Sequence, residues 1–292
     1  MISYQSEDGF VRIPNLIKWA GGKKNLVDTL MNYVPEEFGT YYEPFFGGGA
    51  LFWNLKLRGK IENAVISDIN PELINLLHVV QSHPNELSEE LSAYSGLVGA
   101  EHFYNVRNIF NSLLGRKNET IERATMFLYL NRNCYNGLWR INTRGEFNVP
   151  FGFYEKYHLP SPIEIGTYSR LLQGTKILCN DFPIAMGLCN DGDFVYLDPP
   201  YHTYSGFTQY AGSRFTLNDQ IKLANFFKNL ARRGLSLVET NSNHPDILDL
   251  YREFKITQTK GYSPISSKKD GRGSTDEVII VNQSINLSLR TA

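Results

Sequence analysis

Short apolar runs alternate along the chain with longer amphipathic stretches, and glycine, proline and asparagine punctuate the junctions. Phe194-Val195-Tyr196-Leu197 is unbroken and of strand length, which predicts a strand buried on both faces. Tyr41-Tyr42-Glu43, Ala64 to Asp68, Lys176-Ile177-Leu178, Leu235 to Glu239 and Glu277 to Val281 predict further short strands. Helical spacing recurs at Leu26, Val27, Leu30 and Met31, across Glu122 to Leu130, and from Leu217 to Leu230. A stripe of Leu73, Ile74, Leu76, Leu77 and Val80 follows Asn70-Pro71-Glu72, where Asn70 suits an N-cap and Pro71 the first turn. Pro84 to Gly115 reads as helical and less apolar, and Thr257 to Ser274 as containing a Ser/Lys/Gly loop.

Strands alternating with helices at both ends predict one α/β sheet. From Asn131 to Tyr157 the helical period disappears, and Asn, Gly, Arg and aromatic residues take over. Loops and a β-hairpin turning at Thr143-Arg144-Gly145 are expected there. The expected organisation is a catalytic part made of residues 1–71 and 161–292, interrupted at 72–160 by a helical and hairpin insertion.

Composition changes this picture only in part. With 42% hydrophobic and 20% charged residues over 292 positions, a packed core is expected. The net charge of −1 excludes a uniformly basic nucleic-acid binder but leaves a local basic face open. Ala100 to Lys176 holds ten Lys/Arg against six Asp/Glu, so the middle is the basic part. Cys134, Cys179 and Cys189 lack ligand or disulfide spacing, and no His/Cys/Asp cluster suggests a metal. The first thirty residues lack a signal-peptide core and no run approaches a membrane span, so a cytoplasmic setting without a membrane or an obligate protein partner is expected.

Candidate chemistry gathers at strand ends. Asp198-Pro199-Pro200-Tyr201 follows the unbroken apolar run, and its prolines force the chain out of the sheet. A carboxylate, exposed carbonyls and an aromatic face then meet at the carboxyl edge, where open α/β sheets bind ligands. An exocyclic amino group is a poor nucleophile because its lone pair is delocalised into the ring. Two acceptors, Asp198 and a prolyl carbonyl, would hold both amino hydrogens, and Tyr201 would stack on the base. A turn with a capping Asp is the plainer reading.

Glu43 leads through Phe45-Phe46 into Gly47-Gly48-Gly49, whose glycines permit positive φ and close approach to a ligand; an ordinary turn is the alternative. Asp68 ends the next strand, where an acid accepts from a ribose diol or caps a helix. The order of glycines is not that of a dinucleotide site, so a nucleoside cofactor without pyrophosphate is expected, and S-adenosylmethionine fits. Trp19 and Lys23 would shield and hold that cofactor, or be a core indole and a solvated lysine. In the middle block, Arg and Asn suit base edges and phosphates, and Tyr and Leu suit wedging beside a flipped base; an ordinary polar hairpin is the alternative.

Together, Lys18 to Lys23, Tyr42 to Phe52, Ser67 to Ile74, Asn131 to Gly152, Asp193 to Tyr201 and Ser274 to Val281 resemble the Dam-type family of DNA adenine-N6 methyltransferases. The resemblance implies a Rossmann-like S-adenosylmethionine-dependent sheet, double-stranded DNA as substrate and an inserted recognition domain. It implies cofactor contacts at Trp19, Lys23, Asp68 and Asp198, with Asp181-Phe182 as the pair that holds the adenine. It implies that Leu138, Arg140 and Pro150 face bases.

 These three positions match those that read GATC in members acting on that sequence. Tyr135 and Asn136 match the positions that fill or contact the space left by the flipped adenine, and Arg132, Asn142 and Asn148 those that hold phosphates. The chain departs from some members at Glu155, where they carry lysine, with Lys156 adjacent. The expected reaction is methyl transfer to adenine N6, probed against two alternatives: cytosine-N4 methylation, and a DNA-binding regulator without activity.

Overall fold

The computed structural model describes residues 15–97, 99–114, 120–154, 158–202, 209–210, 213–263 and 273–282. Seven strands form one sheet: β1 (Tyr41–Glu43), β2 (Ala64–Asp68), β3 (Thr175–Cys179), β4 (Phe194–Leu197), β7 (Ser236–Ser242), β8 (Lys255–Ser263) and β9 (Gly273–Val281). Two-residue strands β5 (Gln209–Tyr210) and β6 (Ser213–Arg214) pair with each other outside it. The order is β3-β2-β1-β4-β7-β9-β8. β9 runs antiparallel to both β7 and β8, while the pairs from β3 through β7 are parallel.

Both faces of the sheet are buried, and the period of two decides which residue serves which face. Tyr41, Ala64, Ile66, Phe194, Tyr196 and Ile279 join one core with α2 (Ala50–Leu57), α3 (Pro71–Ser82) and α7 (Pro162–Leu172). Tyr42, Val65, Val195, Leu197, Leu237 and Ile280 join the other, with α8 (Phe182–Met186), α9 (Leu217–Arg232) and α10 (Pro245–Leu250). The sheet is thus doubly wound, and its order reverses between β1 and β4, the switch point where ligands bind in such sheets.

The middle of the chain adds α4 (Pro84–Ser92), α5 (Ala100–Ser112) and α6 (Ile121–Asn133). These share a continuous core with the first face. Glu72 of α3 and Arg123 of α6 form a buried ion pair across that boundary, with Arg123 Nε donating to Glu72 Oε2 at 2.6 Å.

Several expected elements change. α6 runs through Asn131, Arg132 and Asn133, which the loss of apolar period had assigned to a loop. The stretch near Leu26 makes only one helical turn, α1 (Val27–Leu30), before a 3-10 turn over Met31–Tyr33. β7 extends through polar Thr240 and Asn241, both buried. β8 occupies the first part of the expected Ser/Lys/Gly loop, because pairing with β9 supplies a partner that its mixed Ile/Thr/Lys sequence does not announce. The rest of that loop, Glu155, Lys156 and most of the segment after His202 lie outside the described residues. The hairpin turns at Thr143-Arg144-Gly145 as expected, with Gly145 N donating to Asn142 O, but its pairing is reduced to isolated bridges, Ile141 with Phe147 and Cys134 with Phe151.

Candidate active site

The parallel order sets acids side by side along the carboxyl edge. Asp181 lies just past β3, Asp68 ends β2, Glu43 ends β1, Asp198 follows β4, and Glu239 lies beside Leu197 on β7. Asp198 Oδ1 accepts from Thr240 Oγ1 at 2.8 Å and pairs with Lys23 Nζ at 2.9 Å. Tyr196 OH lies 3.0 Å from the same Thr240 hydroxyl, in the core. Lys23 Nζ also donates to Gly21 O at 2.8 Å and lies 4.6 Å from the centre of the Tyr201 ring. Tyr201 OH donates to Glu277 Oε2 at 3.0 Å. Gln220 Nε2 donates to Pro200 O at 2.9 Å.

Two buried carboxyls, Glu43 and Glu239, lie near Asp198. Burial pushes Glu43 up to about 8, against the hydrogen bond from Tyr41, with the Asp198 charge adding to the rise. Burial likewise pushes Glu239 up to about 8, against hydrogen bonds from Tyr251 and Asn241. Both therefore hold their protons at neutral pH.

On the other side of the switch point, Asp68 accepts from Gly47 N and Asn70 N, each at 2.9 Å. Gly47 has φ +47°, and a Cβ there would stand 2.7 Å from Trp19 Nε1, so the indole packs directly on the glycine turn. Gly49 has φ +62° and no room for a Cβ against the Phe46 ring. Asp181 is exposed and caps α8 by accepting from Phe182 N at 2.8 Å. The Phe182 ring stacks on Phe45 with centroids 5.4 Å apart. Ile69, which sequence reasoning passed over, is 37% exposed between Asp68 and Asn70. Carboxylate acceptors alternating with apolar faces across adjacent strand ends match an adenosyl group: acceptors for hydroxyl and amino hydrogens, flat hydrophobic surface for the base.

The segment after α6 is stitched to this edge. Asn131 Nδ2 donates to Lys18 O and Asn131 Oδ1 accepts from Lys18 N, both at 2.8 Å. Lys18 Nζ donates to Arg132 O at 2.9 Å and sits 3.6 Å from the Tyr154 ring centre. Arg132 itself is buried; its guanidinium donates to the carbonyls of His158 and Asn15, which turns it away from the phosphate contact expected of it. Arg140 is exposed and donates through Nε to Asn148 Oδ1 at 2.7 Å. Asn142 spends its side chain on the turn, accepting from Arg144 N and Glu146 N. Tyr135 is 41% exposed, Asn136 has φ +54° and donates its N–H to Tyr154 OH, Leu138 is half-buried, and Pro150 is exposed.

One expectation is corrected. The sequence suggests no His/Cys/Asp cluster, yet folding brings His202, His244 and Asp246 together, with ligand atoms within 4.8 Å of one another. The pairing of β4 with β7 closes the 42-residue gap between the two histidines, which no local spacing reveals.

A doubly wound sheet with one reversed strand, acids along its carboxyl edge and Asp-Pro-Pro-Tyr at its switch point defines a methyltransferase of the S-adenosylmethionine-dependent class. Comparison with known proteins carries this further. Residues 19–263 match the model of the D12 class N6 adenine-specific DNA methyltransferases, and the chain belongs to that family. It is 34% identical to the type II methyltransferase M1.LlaDCHI of Lactococcus lactis subsp. cremoris, over 91% of this chain and 94% of that one. It is 35% identical to the type II methyltransferase M.MjaIII of Methanocaldococcus jannaschii, over 93% and 100% respectively. It is 34% identical to the DNA adenine methylase of Escherichia coli K12, over 90% and 93%. The activity is therefore N6-adenine methylation of DNA, and the family implies S-adenosylmethionine as donor. Among the described residues, no helix is long and apolar enough to cross a membrane.

Proposed function

We propose that this enzyme methylates adenine within GATC in duplex DNA, on a base turned out of the helix, with Asp198 and Pro199 as the acceptors for its amino hydrogens. The observation that carries the reading is the Asp198 carboxylate at the switch point, held from two sides by Lys23 and Thr240. Because Gln220 engages the Pro200 carbonyl, the Pro199 carbonyl is the second acceptor. Holding both hydrogens draws electron density onto nitrogen and favours the tetrahedral geometry it needs to attack. Tyr201, oriented through Glu277, stacks on the base. Asp198 then takes the proton that nitrogen sheds.

S-adenosylmethionine, when bound, supplies an electrophilic methyl group on a sulfonium. Asp68 and Asp181 would accept from its ribose and adenine, Phe182, Phe45 and Ile69 would give apolar surface, and Trp19, Lys23, Glu43, Gly47 and Gly49 would shape the end nearest Asp198. Residues 72–160 form the target-recognition part, although its boundary with the sheet runs through a shared core. There Arg140, oriented by Asn148, reads a guanine edge, Leu138 and Pro150 face bases, and Tyr135 and Asn136 occupy the space the adenine leaves.

The test is digestion of product DNA by endonucleases that cut GATC only when it is methylated, or only when it is not. Protection confined to GATC supports the proposal. Protection confined to another adenine-containing site rejects the sequence assignment and leaves the chemistry intact.

A further inference from the structure

We propose that His202, His244 and Asp246 bind a divalent ion of the zinc class, which ties the chain just beyond the catalytic tetrapeptide to the turn after β7. His202 follows Tyr201 directly, and Ser242 Oγ, at the end of β7, donates to its carbonyl at 2.7 Å. His244 and Asp246 open α10.

The geometry is close to that of a coordination edge. Asp246 Oδ2 lies 3.3 Å from His202 Nε2 and 3.5 Å from His244 Nδ1. Zinc bonds to nitrogen and oxygen of about 2.0–2.2 Å, set at the tetrahedral angle, separate neighbouring ligand atoms by roughly 3.3–3.6 Å. The two imidazoles meet edge to face with centres 4.5 Å apart, and a nitrogen of each lies within 3.5 Å of the same carboxylate oxygen.

A hydrogen-bonded cluster accounts for only half of this. His202 can donate to Asp246. His244 Nδ1, however, accepts the Asp246 N–H at 3.2 Å and so presents a lone pair. The same unprotonated nitrogen lies 3.5 Å from Asp246 Oδ2, so two electron-rich atoms stand side by side, which a cation between them relieves. The ion would take the Nδ1 lone pair from that N–H, so binding gives up one cap of a six-residue helix. Two imidazoles and one carboxylate suit zinc and leave a fourth position for water. The donors come from separate elements, so binding links them, and an ion that binds only the folded chain raises its stability.

The experiment titrates the metal-free full chain with Zn2+ against a chromogenic chelator and records thermal unfolding with and without Zn2+. Co2+ serves as a spectroscopic substitute. One Zn2+ per chain, a rise in Tm, and visible Co2+ bands of a four-coordinate site are expected. Affinity should fall at least tenfold in His202→Gln and in Asp246→Asn and stay unchanged in Cys179→Ser, a control for the exposed thiol. Metal-free unfolding of each variant shows that it folds, and Asp246, being exposed, tolerates the change. Unchanged affinity and an unchanged Tm shift in both His202→Gln and Asp246→Asn would overturn the proposal, as would the absence of Zn2+ binding by the parent chain.

Discussion

Asp198 takes its role from its neighbours as much as from its own carboxylate. Its partners Lys23 and Thr240 come from distant parts of the chain, and the two glutamates beside it stay protonated at neutral pH. Asp198→Ala should abolish turnover while DNA affinity, measured by fluorescence anisotropy, falls only modestly. Thr240→Val removes the hydroxyl that orients Asp198 and should lower kcat about tenfold with little change in KM for DNA, as expected for losing a charge-assisted hydrogen bond worth about 1.5–3 kcal/mol. Glu239 gives a pH signature. Its carboxyl titrates near 4.5 when free and about 8 when folded, so the unfolded chain releases the proton first. This contribution to stability is whole below about 4.5, is lost as pH rises toward about 8, and is constant beyond. Glu239→Gln should therefore lose less stability than the parent across that window, as read by chemical denaturation at each pH.

At the scale of elements, the hairpin acts through pairs rather than single side chains. Asn148 fixes Arg140, and Asn111 of α5 holds the strand behind them, donating to Phe147 O at 3.0 Å and accepting from Phe147 N at 2.9 Å. Arg140→Ala should relax discrimination at one base pair by about 1–3 kcal/mol. Asn148→Ala should weaken the same discrimination without shifting it to another position, and methylation rates on a panel of singly altered sites would show both. Asn148 and Asn142 were legible as polar candidates, but not the internal bonds they make, since such bonds depend on how the turn closes. Arg132 shows the converse. The family resemblance implied a phosphate contact, and α6 instead carries the side chain inward to backbone carbonyls.

The molecule as a whole is nearly neutral, yet its middle, Ala100 to Lys176, is basic. DNA affinity should thus fall linearly with the logarithm of salt concentration, since local phosphate contacts release counterions whatever the total charge. An affinity independent of salt would rule out that face as the DNA contact. The same part is bound to the sheet by Glu72 and Arg123 inside a shared core. Glu72→Gln leaves the Arg123 charge buried without its partner and should destabilise the whole chain by about 3–5 kcal/mol, seen as one cooperative transition at lower denaturant.

Local pattern alone determined the strands that carry the site, the glycine turn, the Asn70 cap and the tetrapeptide at a strand's end. Apolar runs, caps and prolines act within a few residues, so their meaning is local. Tertiary structure alone decided that polar Thr240 lies in the core against Asp198, that Arg132 turns inward, and that His202 meets His244 and Asp246. Each of these depends on which strands become neighbours, and strand order follows from the packing of both sheet faces at once rather than from any single stretch of chain.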